Sequence, residues 1–137
     1  MPGMEIRVYY EDTDCGGVVY YANYLKYFER ARTHYLEGHG LSVAGLLQKG
    51  TEFRVIHAEI SYRSPATYGE ILEIETTVEP DRRTSLTFSH IIRERTSARV
   101  VVEGSATLVA VDTKNKIKRL PPSILEALGL PVVVTSS

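Results

Sequence analysis

One cysteine, no tryptophan and no surplus of either charge mark this 137-residue sequence. Cys15 alone closes no internal disulfide, so the fold has to rest on its own core. A chain of 137 residues is one ordinary domain and can bury such a core without a metal or disulfide staple. Sixteen Lys and Arg against seventeen Asp and Glu leave a formal net charge of -1, which argues against a chain built to coat nucleic acid or an anionic membrane. No apolar run approaches the ~20 residues that a membrane-crossing helix needs. Nor does a basic leader run into an apolar stretch and a cleavage-like site, so a cytoplasmic protein without integral membrane association is expected. The four histidines follow no metal-ligand spacing and read as surface or cross-strand residues. Apolar content of 43% and charged content of 24% are those of a globular chain, which excludes general disorder.

What is present is organised by period. Residues 5–10, EIRVYY, are rich in branched and aromatic side chains and read as a strand. From about Ala22 the period lengthens: Tyr24, Tyr27, Phe28, Ala31 and Tyr35 share one face of a helix that stops near Gly38. A short amphipathic turn, LSVAGLLQKG, follows. Four strand-like runs come next: EFRVIHAEISYR, EILEIETTVEP, SLTFSHIIRER and ARVVVEGSATLVAVD. Leu72, Ile74, Thr76 and Val78 share a face of the second, Leu86, Phe88, His90 and Ile92 a face of the third. The fourth places Val100, Val102, Gly104, Ala106, Leu108 and Ala110 on one side. A short helix near 122–128 and a loose tail over 130–137 complete a single domain, 1–137. The expected class is α+β, with a five-stranded antiparallel sheet and one long helix burying their apolar faces against each other.

Between the first strand and the helix lies YYEDTDCGGVVYYANY. A calcium loop would need an oxygen ligand where Gly16 stands and a glutamate where Asn23 stands. A phosphate loop would need a lysine after the glycines and a hydroxyl residue at the helix start. Cys15 as a nucleophile would need a histidine that the sequence does not place beside it. Two readings stay open: an Asx-type turn with Asp14 accepting backbone N–H groups, or a site where bare backbone admits another molecule to the positive end of a helix.

The pattern D-x-D-x-x-G-x-V-Y-x-x-x-Y, followed by YFERART, SYRSPATYGE and RRTSLTF, resembles the hotdog-fold acyl-CoA thioesterases of the 4-hydroxybenzoyl-CoA thioesterase type. Within that type it is most similar to the bacterial Tol-Pal-associated branch. The resemblance implies a sheet wrapped around the long helix and protomers paired edge to edge, assembled as a tetramer of two dimers or as a dimer. It implies hydrolysis of an acyl-CoA, with Asp14 as nucleophile or general base and the backbone N–H of Tyr21 bonded to the thioester carbonyl. Many relatives in that branch carry histidine where this chain has Tyr21, so the donor here is the main chain. A free aspartate ionises near pH ~3.9 and needs no partner base at neutral pH, and one oxyanion donor supplies about 3 to 4 kcal/mol. Gly17 and Val18 of the loop are implied substrate contacts, and Asp12 reads as structural, since two ionised acids so close would raise one pKa.

Arg82, Arg83, Thr84 and Ser85 make either a polar turn or, as the resemblance implies, a contact for the phosphates of coenzyme A. Ser61 and Arg63 match a segment near the pantetheine channel, and Glu29 matches a helix position facing the acyl pocket, where a solvated charge is the alternative. No cofactor is expected, because coenzyme A is part of the substrate. A hotdog dehydratase would need a differently placed His and acid. A non-catalytic acyl-thioester or acyl-carrier binding module is the rival of another class, and it would have no need of Asp14.

Overall fold

The structure is a computed structural model and describes residues 3–132. Strand β1, Met4–Arg7, leads through a single 3-10 turn, Tyr10–Asp12, to helix α1, Tyr21–Gly38. A short helix α2, Val43–Gln48, is capped at its start by the Ser42 hydroxyl, which accepts from the Gly45 N–H at 2.9 Å. Four strands follow: β2, Glu52–Tyr62; β3, Ile71–Arg82; β4, Ser85–Glu94; and β5, Val100–Val111. Helix α3, Pro122–Ala127, packs last, and Leu130 beyond it still lies against the core. Residues 133–137, most of the expected tail, are outside the described residues.

All strand pairs are antiparallel and the spatial order is β1-β3-β4-β5-β2. The expected sheet and helix are therefore both present. Helix α1 buries Tyr24, Tyr27, Phe28, Ala31 and Leu36, and at ~1.5 Å per residue its length spans both halves of the core. Tyr24 to Ala31 sit with Leu72, Ile74 and Ile92. Leu36 sits with Val78, Leu86, Phe88 and the α3 residues Ile124 and Leu125. Strand β5 departs from the one-sided alternation read in the sequence: Val101 and Val109 are buried as well as Val102 and Ala110. Val101 joins Val8, Val19 and Ala66 of the connecting segments, so those segments cover a face that the alternation leaves to solvent.

Gly104 of β5 leaves room for the Phe28 ring of α1 against the strand. A Cβ there would lie 2.5 Å from a ring carbon of Phe28 and 2.7 Å from the Glu59 carbonyl oxygen. The Phe28 ring also stacks on His90, with ring centres 4.6 Å apart. His90 is a buried cross-strand residue: its Nδ1 pairs with the Thr76 hydroxyl at 3.0 Å, and its Nε2 is buried without a partner among the described residues. Burial, then the charge of Arg32, lowers its pKa from 6.5 to about 4.

Strand β2 is different in kind. It pairs with β5 alone, and among the described residues its other edge has no neighbour. A bulge between Val55 and His57 leaves Ile56 out of register, and Val55, Ile56 and Tyr62 are all exposed. An edge with open backbone groups and apolar side chains is suited to pairing with another strand.

Two outcomes follow for stability. Gly104→Ala, measured by denaturant unfolding, lowers stability by about 1 to 3 kcal/mol, because the Phe28 contact has to open. The depressed pKa of His90 means that the unfolded chain binds a proton more readily, so its contribution is complete above pH 6.5 and is lost as pH falls toward about 4. Across that window the unfolding midpoint falls less steeply for His90→Gln than for the parent.

Candidate active site

The link between β1 and α1 is built around Asp12. Its carboxylate accepts the Tyr9 N–H at 2.9 Å and the Asn23 side-chain amide at 3.2 Å. Its carbonyl accepts the Tyr20 N–H at 3.0 Å and the same Asn23 amide at 3.1 Å. Asp12 thus staples the 3-10 turn to the first turn of α1. Its charge also reaches the buried Tyr27 hydroxyl, which closes no hydrogen bond among the described residues; burial first, then Asp12, pushes that phenol far up.

Beyond this staple the chain makes a miniature hairpin. Thr13 pairs with Val19, the Asp14 N–H donates to the Val18 carbonyl at 2.9 Å, and the Gly17 N–H donates to the Asp14 carbonyl at 3.0 Å. Gly17 closes the turn at φ +80, a left-handed value that favours glycine. One carboxylate oxygen of Asp14 accepts the Gly16 N–H at 2.8 Å, and a Cβ on Gly16 would press on that oxygen at 3.2 Å. Among the described residues the other oxygen has no partner, and Asp14 is exposed. The Asx-turn geometry is therefore real, and it leaves half of the carboxylate free.

Tyr20 precedes α1 in an extended conformation, and among the described residues no side chain caps the helix. The first N–H groups of a helix have no intrahelical acceptor, so those of Tyr21 and Ala22 open the helix as unused donors among the described residues. Asp14 lies one step to the turn side of the Thr13–Val19 pair and Tyr21 two steps to the helix side, a span of about 10 Å along an extended ladder. A carboxylate, an attacking water and a carbonyl fit within that span. The Tyr21 ring leans on Tyr62 at the end of β2, with centres 4.8 Å apart, which brings the 61–63 segment beside the helix start. Ser61 is exposed there, and Arg63 is engaged by Glu103 at 3.1 Å. Val18 is braced from the same side by its pairing with Thr67.

Two other groups lie elsewhere. Glu29 is exposed on α1 at the rim of a cavity of about 310 Å³, together with Thr33, Leu36, Leu46, Phe53 and Phe88. Arg82 and Arg83 are exposed at the tight β3–β4 turn, whereas Ser85 is buried and its hydroxyl donates to Asp81 at 3.2 Å. This turn ends β3, while the segment bracing Asp14 precedes the start of β3 at Ile71. The length of the strand therefore puts on the order of 30 Å between Asp14 and the two arginines of the same protomer. Sequence reasoning missed the bracing of the loop by residues 64–70 and by Arg99, because contacts between distant segments leave no local period or spacing. Among the described residues no three His, Cys, Asp or Glu side chains gather to hold a metal.

Residues 8–128 match the family model described as the Thioesterase-like superfamily. The chain is 40% identical over 121 residues to the acyl-CoA thioester hydrolase YbgC of Escherichia coli O157:H7, covering 88% of this chain and 90% of that protein. It is 30% identical over 122 residues to a putative esterase of Aquifex aeolicus, covering 89% and 93%. Among solved structures, a DHNA-CoA thioesterase from Staphylococcus aureus superposes with a TM-score of 0.84 at 28% identity, covering 92% of this chain and 87% of that one. Slr0204, a 1,4-dihydroxy-2-naphthoyl-CoA thioesterase from Synechocystis, shares the fold with a TM-score of 0.87 at 24% identity, covering 93% and 95%. The resemblance read from the sequence is borne out, and the chain belongs to the Thioesterase-like superfamily, with its hotdog fold.

Proposed function

We infer that the protein is an acyl-CoA thioesterase, releasing a carboxylic acid and free coenzyme A, and that Asp14 carries the chemistry. The observation behind the assignment of the residue is a carboxylate with one oxygen fixed by Gly16 and the other open, on the loop that leads to an uncapped helix start. In the general-base route Asp14 takes a proton from water, the resulting hydroxide adds to the thioester carbon, and the oxyanion forms against the Tyr21 N–H. Collapse of that intermediate breaks the C–S bond and the thiolate leaves with a proton. In the nucleophilic route the open oxygen of Asp14 itself adds, and the C–S bond breaks to expel the coenzyme A thiolate and leave a mixed anhydride. Water then hydrolyses that anhydride, giving the acid, the Asp14 carboxylate and a proton for the thiolate. Either route gains from a donor already aimed at the developing charge, worth about 3 to 4 kcal/mol. The reaction needs no group beyond the coenzyme A that the substrate brings.

Arg82, Arg83 and Thr84 are proposed to hold the coenzyme A phosphates, with Gly17, Val18, Ser61 and Arg63 along the path of the substrate and Glu29 at the acyl end. One protomer does not bring these groups together, and its open β2 edge suggests how two would. Isologous antiparallel pairing of β2 with its copy sets the Glu52 end of one strand beside the Tyr62 end of the other. The β3–β4 turn of one subunit then comes to the end of the sheet where the other holds Asp14. The proposed assembly is accordingly a dimer of this kind, two of which make a tetramer. Among the described residues no helix is long and apolar enough to cross a membrane, and a cytoplasmic enzyme is the proposed setting.

Asp14→Asn keeps coenzyme A binding while turnover of an acyl-CoA ester falls by about two orders of magnitude or more. Unchanged turnover would remove Asp14 from the mechanism, and a chain that binds acyl-CoA without any turnover would be the binding module. Replacing Arg82 and Arg83 by Ala raises KM with little change in kcat, and added salt mimics that effect in the parent. Mixing Asp14→Asn subunits with the double-arginine variant restores roughly a quarter of the parental activity at low substrate, since half of the pairs are mixed and each holds one intact site. Absence of restoration after subunit exchange would contradict a site shared between protomers.

A further inference from the structure

The segment between β2 and β3 has no ladder of its own, yet the candidate catalytic loop is built on it. The Val19 N–H donates to the Ala66 carbonyl at 2.8 Å, and Val18 pairs with Thr67. Helix α1 leans on the same place: Tyr24 is buried, and burial pushes its phenol up to about 12 against the opposing effect of the Ala66 backbone. A stretch that supports so much needs something to hold it.

Arg99 does. Its Nε donates to the Ser64 hydroxyl at 3.0 Å, and one terminal nitrogen donates to the Pro65 carbonyl at 3.0 Å. That nitrogen also reaches both carboxylate oxygens of Glu70, at 3.2 and 3.1 Å. Glu70 in turn accepts the Thr67 N–H at 2.7 Å, and the Ser64 hydroxyl donates to the Val100 carbonyl at 2.8 Å. The guanidinium thus fixes the segment at both ends. Its own footing is firm, because the Glu94 carboxylate accepts the N–H groups of Thr96 and Ser97 at 2.9 Å each and the Arg99 N–H donates to the Ser97 hydroxyl at 3.2 Å. The pair is also more sheltered than the other arginine pair of this region. Side-chain exposures are 38% and 22% for Arg99 and Glu70, against 56% and 42% for Arg63 and Glu103.

We propose that Arg99 is a positioning residue for thioester hydrolysis: through Ser64, Pro65 and Glu70 it sets residues 64–67, and these set the Asp14 turn against the start of α1. The inference rests on Asp14 as the reacting carboxylate. A planar fork can serve a hydroxyl, a carbonyl and a carboxylate at once, whereas a lysine ammonium in its place would keep Glu70 and lose the rest. Small displacements of a reacting group are costly in rate while leaving distant substrate contacts intact.

The test is steady-state kinetics of the full chain as Arg99→Ala, Arg99→Lys and Glu70→Gln, with amide exchange of Val19 and of buried Val102 read on the same samples. Arg99→Ala is expected to lower kcat roughly ten- to a hundredfold with KM within about twofold. Val19 exchanges faster while Val102 does not change, and Arg99→Lys recovers part of the rate. Glu70→Gln follows Arg99→Ala in direction and carries the comparison if the alanine variant does not fold. Arg95→Ala, whose contacts with Glu5 and Glu73 are long at 3.7 and 4.0 Å, keeps parental kinetics. Parental kcat in Arg99→Ala, or a loss accompanied by equally faster exchange at Val102, would overturn the proposal. Full loss in Asp14→Asn beside no loss in Arg99→Ala would sink the positioning role alone, whereas parental turnover in Asp14→Asn would sink the catalytic reading and this role together.

Discussion

An uncapped helix start is the constraint on which the site depends. Backbone groups of the segment leading into α1 are paired: Val18 accepts from Asp14, Val19 donates to Ala66, and Tyr20 donates to Asp12. At Tyr21 this pairing stops, and among the described residues no side chain takes over. A Ser or Asp at that cap would stabilise the helix by about 1 kcal/mol, and its absence leaves donors for a group that the protein itself does not supply. A thioester oxygen gaining charge is such a group.

The placement of Asp14 completes the arrangement. A carboxylate is favoured near the positive end of a helix, and one that folded back onto the first turn would cap it and consume the donor. Asp14 instead takes its hydrogen bond from Gly16, inside its own turn. That local bond leaves the other oxygen of the acid free, and glycine at 16 suits the turn, because a Cβ there would crowd the carboxylate. Asp12 takes the structural duties that Asp14 is thereby spared. Two acids two residues apart have separate work because one is wired to Tyr9 and Asn23 and the other faces outward.

Much of this is readable from the chain. The stripe from Tyr24 to Ala31 gave the helix its buried face, and the alternation in 71–78 and 86–92 gave two strands their inner faces. The Asp-Gly-Gly spacing announced a turn, and the motif as a whole announced the family. Local pattern could not give the order β1-β3-β4-β5-β2, since which strands become neighbours is decided by how the whole sheet covers α1. It could not give the burial of Val101 on the other face of β5, where distant segments fold over it. The separation of Arg82 from Asp14 within one protomer was hidden for the same reason.

The fold thus divides the work. Sheet and helix give the frame, with Phe28 seated on Gly104 and His90, and irregular segments tied by Arg99 carry the Asp14 turn. The most direct test of the central claim is the infrared carbonyl stretch of a 13C-labelled acyl-CoA bound to Asp14→Asn. The account predicts a shift to lower frequency than in water, because the helix-end N–H polarises the thioester before reaction. A carbonyl that stretches as it does in solution would mean that no donor is aimed at it, and would contradict the account.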